Sequence, residues 1–310
     1  MNMLFVEFLL VVALLGADAH LQPPPVVHAL YLGPRVLDRH GEVDSDMEQR
    51  VFELAEAGQI NGIVLDVKHE DGRVLSFAAT DRARSFGAVA GQAGKGVLEF
   101  LQEARSRGIW VIGRVTAFKD IIAYHQMGHW HRLNRPGCDW QTCWIAPHSA
   151  EASSYIIEIG AAAAPYFDEI MFDYVRYPHD YRYAWPSRRV DAILDFAEEA
   201  CSAVREAGAQ VSFTLFGGVP VWPDDQGIGQ TVSMPSCANT VSPMIYPSHE
   251  GVERVGVERL VAAAAEHWGG YRLRPWYEYH NYESQIASGK PYADAGWILW
   301  DPSGHALTHW

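Results

Sequence analysis

The sequence predicts an α/β protein folded as one (β/α)8 TIM barrel. Three observations predict it. Eight apolar runs of strand length recur along the chain, most are separated by helical patterns, and no Gly-rich phosphate loop follows the first run. The third observation disfavours an open doubly wound sheet, because "YLGPRV" is not the glycine turn such a sheet places after its first strand. The length of 310 residues suits one large domain, and 48% hydrophobic content can fill its core.

The elements follow in order. The first 20 residues, "MNMLFVEFLLVVALLGADAH", hold a short apolar stretch before the small residues Ala17 and Ala19. This reads as a signal peptide over 1–19 rather than a spanning helix, although its start lacks Lys or Arg. "LQPPPVV" then reads as a Pro-rich linker over 20–26, with the barrel from 27 to 310. The predicted strands are "VHALYLG" (27–33), "GIVLDVK" (62–68), "IWVIGRV" (109–115), "EIMFDYV" (169–175), "VSFTLFG" (211–217), "TVSPMIY" (240–246), "RLRPWYE" (272–278) and "GWILWD" (296–301). Helices are predicted over 46–58, 96–108, 149–166, 188–208 and 256–270. In the first, Val51, Leu54 and Ala55 form one stripe; in the second, Val97, Leu98, Leu101 and Ala104 do. No helix is evident after the fifth strand, and the gap after the third is long and irregular. Cys138 and Cys143 are close enough to clip a loop by a disulfide; the Cys-x4-Cys spacing lacks the second ligand pair a zinc site needs.

The charges locate a site. Side chains alternate faces along a strand, so Asp66, Lys68 and Glu70 share one face of "GIVLDVKHED". Charges at the C-terminal end of a strand fit a barrel mouth, where catalytic groups gather from several strands. The alternative is an ion-pair network that only holds a loop. The same offset places Arg114, Asp173, Tyr246, Glu278 and Asp301 at the ends of other strands, with Arg176 and His249 just beyond. Asp173 follows the apolar run Ile170-Met171-Phe172, and Arg114 or Arg176 supplies its counter-charge.

Two carboxyl groups flanking a sugar bond are what glycoside hydrolysis requires, one ionised and one carrying a proton. Asp173 suits the first role. Glu278, between Tyr277 and Tyr279, suits the second, and Glu70 is the next candidate, with Lys68 nearby favouring its charged form. Asp66, Lys68, Arg114, Arg176, Tyr246, His249, Trp276 and Asp301 are then expected to bind substrate. Trp140, Trp144, Tyr177, Trp185, Trp222, Trp276 and Trp300 lie in or beside the mouth-side loops, where about half would face a glycan. No cofactor or metal is expected.

"GIVLDVKHEDGRV", "IGRVTAFKD", "FDEIMFDYVRYP", "IGQTV", "VSPMIYPSH", "RPW" and "GWILW" together resemble the Putative glycosyl hydrolase domain family, barrels distantly similar to alpha-amylases. The resemblance runs from about residue 27 to 301. It implies a barrel glycosidase acting on a poly- or oligosaccharide, with the nucleophile at the end of strand 4, which is Asp173. It also implies an acid at the end of strand 5, where this chain reads "VSFTLFGG" with Thr214 and no carboxylate. "PWYEYH" likewise departs from the Gln-Asp pair expected after the Trp, so either Glu278 has taken over the role of the acid or the acid is missing.

Other classes remain. A barrel that binds glycan without cleaving it would explain the missing strand-5 carboxylate. A metal-dependent hydrolase would use His125, His129 and His131, which have no acidic residue among them. A phosphate-binding barrel would need more than the one glycine of "DPSGHALTHW". The net charge of −14, with no basic stripe, argues against nucleic acid, and no later segment is apolar enough to cross a bilayer. Secretion, or a periplasmic location, is expected.

Overall fold

Val27–Tyr31 (β1) lies between the second and the last long strands of the chain, and this pairing closes the sheet on itself. The computed structural model describes residues 26–33, 43–90, 95–133, 142–179, 187–234, 236–248, 252–269 and 272–301. The other barrel strands are β2 (Gly62–Lys68), β3 (Trp110–Thr116), β4 (Glu169–Asp173), β5 (Gln210–Phe216), β6 (Thr240–Ile245), β7 (Trp276–Glu278) and β8 (Gly296–Trp300). Each pairs in parallel with its sequence neighbours, so eight strands form the closed barrel. Closure is tight where β8 starts. A Cβ on Gly296 would stand 2.1 Å from the Val27 carbonyl oxygen, and the residue has φ +96°, so glycine is required on both counts.

The helices are α1 (Ser45–Glu56), α2 (Lys95–Ser106), α3 (Ala150–Ala163), α4 (Arg189–Glu206), α5 (Val257–Trp268) and α6 (Tyr282–Gly289), besides shorter turns of helix. Asp44 and Ser149 cap α1 and α3 by accepting backbone N–H bonds. As the sequence predicts, no helix of that length falls between β5 and β6 among the described residues. Helix α6 was not expected, because its apolar stripe is thin: only Gln285 and Gly289 are buried.

Strand parity divides the core. Ile63, Leu65 and Val67 of β2 join the outer layer packed under the helices. Val27, Ala29, Val64, Ile112, Met171, Trp276 and Ile298 fill the barrel interior. Beneath them Glu169 and Arg274 form a buried ion pair at 3.0 Å. Glu169 also accepts from Trp110 Nε1 at 3.1 Å and from the Ser212 hydroxyl.

Candidate active site

Asp66 lies near the C-terminal end of β2, and Asp173 and Glu278 end β4 and β7, all toward the same mouth of the barrel. Parity carries Asp66 and Arg114 inward from adjacent strands, where they are register partners. Thr116 and Asp173 are partners on the next pair.

Arg114 joins the first two carboxylates. Its Nη1 donates to Asp66 Oδ1 at 2.7 Å, while Nε and Nη2 both donate to Asp173 Oδ2, at 2.9 and 2.7 Å. Asp66 Oδ2 accepts the Tyr31 hydroxyl at 2.7 Å, and Asp173 Oδ1 accepts the backbone N–H of Tyr174 at 2.6 Å. Burial opposes the Arg114 charge, but Asp66 and Asp173 outweigh it and hold the guanidinium well above the ordinary arginine range. Burial, with Asp66 beside it, pushes the Tyr31 hydroxyl far up, so it stays a donor. Tyr246 is raised too, first by burial and then by Asp173, and its ring stacks on Trp300 at 4.9 Å.

The backbone turns sharply after Asp173. Tyr174 has φ +54°, a left-handed conformation that a bulky residue adopts only where its surroundings enforce it. Beyond the turn, Arg176 settles among aromatic rings. Its guanidinium lies against the rings of Phe216, Trp144 and Tyr174, at 4.6, 4.8 and 5.0 Å, and burial lowers its pKa. Of the two candidate counter-ions, Arg114 pairs with Asp173.

Several expectations need correction. Lys68 is not at the mouth: a β-bulge between Asp66 and Lys68 breaks the alternation. Lys68 is fully buried, 2.8 Å from Asp120 Oδ2 and 2.8 Å from the Thr116 carbonyl. Glu70 therefore meets a different cation, Lys119, at 2.9 Å. Burial pushes Glu70 up, but Lys119, the Tyr174 hydroxyl and His69 prevail and hold its pKa below the usual glutamate value. Trp276 sits in the barrel interior, and Trp144 and Tyr177 are buried as well, so these rings pack the protein. Asp301 is buried at the end of β8. His249, Trp140 and Trp185 lie outside the described residues.

Glu278 stands apart from the Arg114 cluster. Its carboxylate reaches sideways to the end of β6, where Ser248 N–H donates to Oε1 at 2.9 Å and the Ser248 hydroxyl meets Oε2. Its backbone N–H and carbonyl both engage the Gln285 amide on α6. The residue borders a cleft of about 240 Å³ with Pro247, Val257, His280 and Ser284. Sequence reasoning missed Ser248 as its partner, and Lys119 and Tyr174 around Glu70; all of these contacts join residues far apart in the sequence.

Among the described residues, no three His, Cys, Asp or Glu side chains cluster as a metal site. In the rival histidine group, His131 Nδ1 meets the Ser149 hydroxyl at 2.7 Å, and His129 lies against Trp130.

The model of the Putative glycosyl hydrolase domain family matches residues 37–268. The chain belongs to this family. The match omits "RPW" and "GWILW", which β7, β8 and the turn before β7 nevertheless place in the same barrel. Among solved structures the chain is similar to the PgaB (BpsB) glycoside hydrolase domain from Bordetella bronchiseptica, with TM-score 0.63 and 14% identity over 91% of this chain and 96% of that one. It is also similar to the catalytic domain of beta-amylase from Paenibacillus polymyxa, with TM-score 0.59 and 8% identity over 90% and 93%. A third likeness is to the pneumococcal virulence factor StrH, with TM-score 0.54 and 12% identity over 92% and 80%. At these identities the likeness is one of fold. Among curated proteins, none matches the sequence. Membership of this family points to a glycan-acting hydrolase at the level of the family.

Proposed function

We propose that the protein cleaves glycosidic bonds of a poly- or oligosaccharide with Asp173 as the ionised carboxylate and Glu278 as the proton donor. The observation that carries the reading is the clamp on Asp173: three N–H donors fix its carboxylate at the mouth. A carboxylate so oriented can attack an anomeric carbon or take a proton from water. Electron density then leaves toward the departing oxygen, which takes a proton from Glu278. Asp66 keeps the other end of Arg114 engaged and orients it. Glu70 is a poorer donor, because its own surroundings favour the charged form.

A barrel that only binds glycan is the second reading, favoured by β5, which supplies Thr214 and no carboxylate. The protein is exported in this proposal. Cys201–Cys237 is a disulfide, Cys143 is disulfide-bonded, and no free cysteine occurs among the described residues, as an oxidising compartment allows. Cys138, the expected partner of Cys143, and the leader over 1–19 lie outside the described residues. No described helix is long and apolar enough to cross a membrane.

The test is release of new reducing ends from a panel of soluble polysaccharides. Asp173→Asn should lower the rate by several orders of magnitude with the fold intact. Full activity in that variant overturns the assignment; no release by wild type from any polymer favours the binding reading.

A further inference from the structure

Between β5 and β6, the described residues 217–234 and 236–239 are tied down at several points and form no long helix. Asp225 Oδ1 accepts the N–H groups of Gly227, Ile228 and Gly229 at 2.9, 2.9 and 2.7 Å, and its other oxygen meets Arg189. The buried Gln230 accepts from Phe216 N–H at 3.1 Å and donates to the Val175 carbonyl at 3.2 Å. Trp268 Nε1 donates to the Val232 carbonyl, and Cys237 is bonded to Cys201.

On this fixed segment one large ring stays in the open. Trp222 is 43% exposed. Both Val221 N–H and Trp222 N–H donate to the Gly218 carbonyl, at 3.0 and 2.9 Å, and fold the indole back. A Cβ on Gly218 would stand 2.6 and 2.7 Å from indole Cζ3 and Cε3, so the bare glycine is the seat of the ring. The seat lies on the mouth side of the barrel, because the segment leaves the C-terminal end of β5. Asp224 is exposed two residues beyond Trp222.

We propose that Trp222, seated on Gly218, is a binding platform for one sugar ring of an uncharged polysaccharide chain, outside the catalytic centre. The C–H face of a pyranose is apolar and matches an aromatic face, and its equatorial hydroxyls need acceptors, which Asp224 supplies. The ring is held before binding, so stacking loses little conformational entropy. Asp224 beside it, on a chain of net charge −14, disfavours an anionic polymer. The proposal rests on the hydrolase reading and narrows its substrate to chains that extend past the cleaved bond.

Native-gel affinity electrophoresis of the full chain tests it, with soluble starch, hydroxyethyl cellulose or glycol chitin in the gel and alginate as the anionic control. At least one uncharged polymer should retard the wild type, and alginate should not. Trp222→Ala should weaken that retention about tenfold. Gly218→Ala keeps the ring but displaces it, and should weaken retention as well. Thermal melting of both variants checks that they fold. The proposal is overturned if no uncharged polymer retards the protein, if alginate does so preferentially, or if both folded variants are retained like wild type. The two readings fail separately. Retention lost in Trp222→Ala, without reducing ends from wild type, leaves the platform standing and removes the glycosidase. Reducing ends released with an unchanged KM in Trp222→Ala remove the platform alone.

Discussion

Arg114 decides how the mouth works, because one guanidinium holds Asp66 and Asp173 together while Glu278 and Glu70 are held elsewhere. The division of roles is testable on the two glutamates. Glu278→Gln should lower polysaccharide cleavage more than Glu70→Gln, and the opposite order would move the acid to Glu70. Glu70→Gln should act on stability instead. The folded pKa of Glu70 lies below its ordinary 4.5, so its pair with Lys119 stabilises the fold above about that pH and is lost as pH falls through the lowered value. For a partly exposed pair the effect is about 1 kcal/mol or less. Urea denaturation of wild type and Glu70→Gln should therefore differ at pH 7 and converge as the pH falls below the lowered value. Asp66, Arg114 and Asp173 were legible in the sequence because strand parity alone places them. Lys68 was not, because a bulge is a cross-strand event that alternation within one strand cannot reveal. Trp276 was misread for a related reason: parity gives the face, but depth in the barrel decides between lining a cleft and packing the interior.

At the scale of elements, the sequence shows which segments alternate but not how the irregular ones are fastened. The eight strands and five of the helices follow from periodicity, since each buries one face. The segment between β5 and β6 has no period, and its order comes from Asp225, Gln230 and the Cys201–Cys237 bond, whose ends are 36 residues apart. Cysteine spacing cannot reveal a pairing across such a distance, whereas the nearby Cys138 and Cys143 suggest themselves. Replacing Cys201 and Cys237 by Ser together should cost about 2–4 kcal/mol, mainly by freeing the unfolded chain. It should also loosen the anchor of α4 on this segment. Thermal melts of the variant, with and without reductant, measure the first effect, and limited proteolysis within residues 217–239 the second. A variant that melts with wild type would mean that the polar anchors suffice.

For the whole molecule, closure of the barrel joins the sites that parity aligns. Both ends of its interior are charged: Asp66, Arg114 and Asp173 at the mouth, Glu169 and Arg274 at the floor, with apolar side chains between. The floor pair links β4 to the segment preceding β7, a distance of 105 residues that no local pattern spans. Glu169 opens the run "EIMFD", and Arg274 stands in "RLRPW", so neither looks buried in the sequence, yet the pair is at most 1% exposed. A buried ion pair contributes little beyond an apolar pair of the same volume, but losing one partner strands a charge. Arg274→Met should thus destabilise the barrel by about 3–5 kcal/mol. Glu169→Leu combined with Arg274→Met should recover part of that loss, because the stranded carboxylate is gone. Recovery is partial, since Ser212 and Trp110 lose their shared acceptor. Urea denaturation of both variants decides it. A double variant less stable than the single one by a further full increment would mean that each residue acts alone and that the floor is not held by this pair.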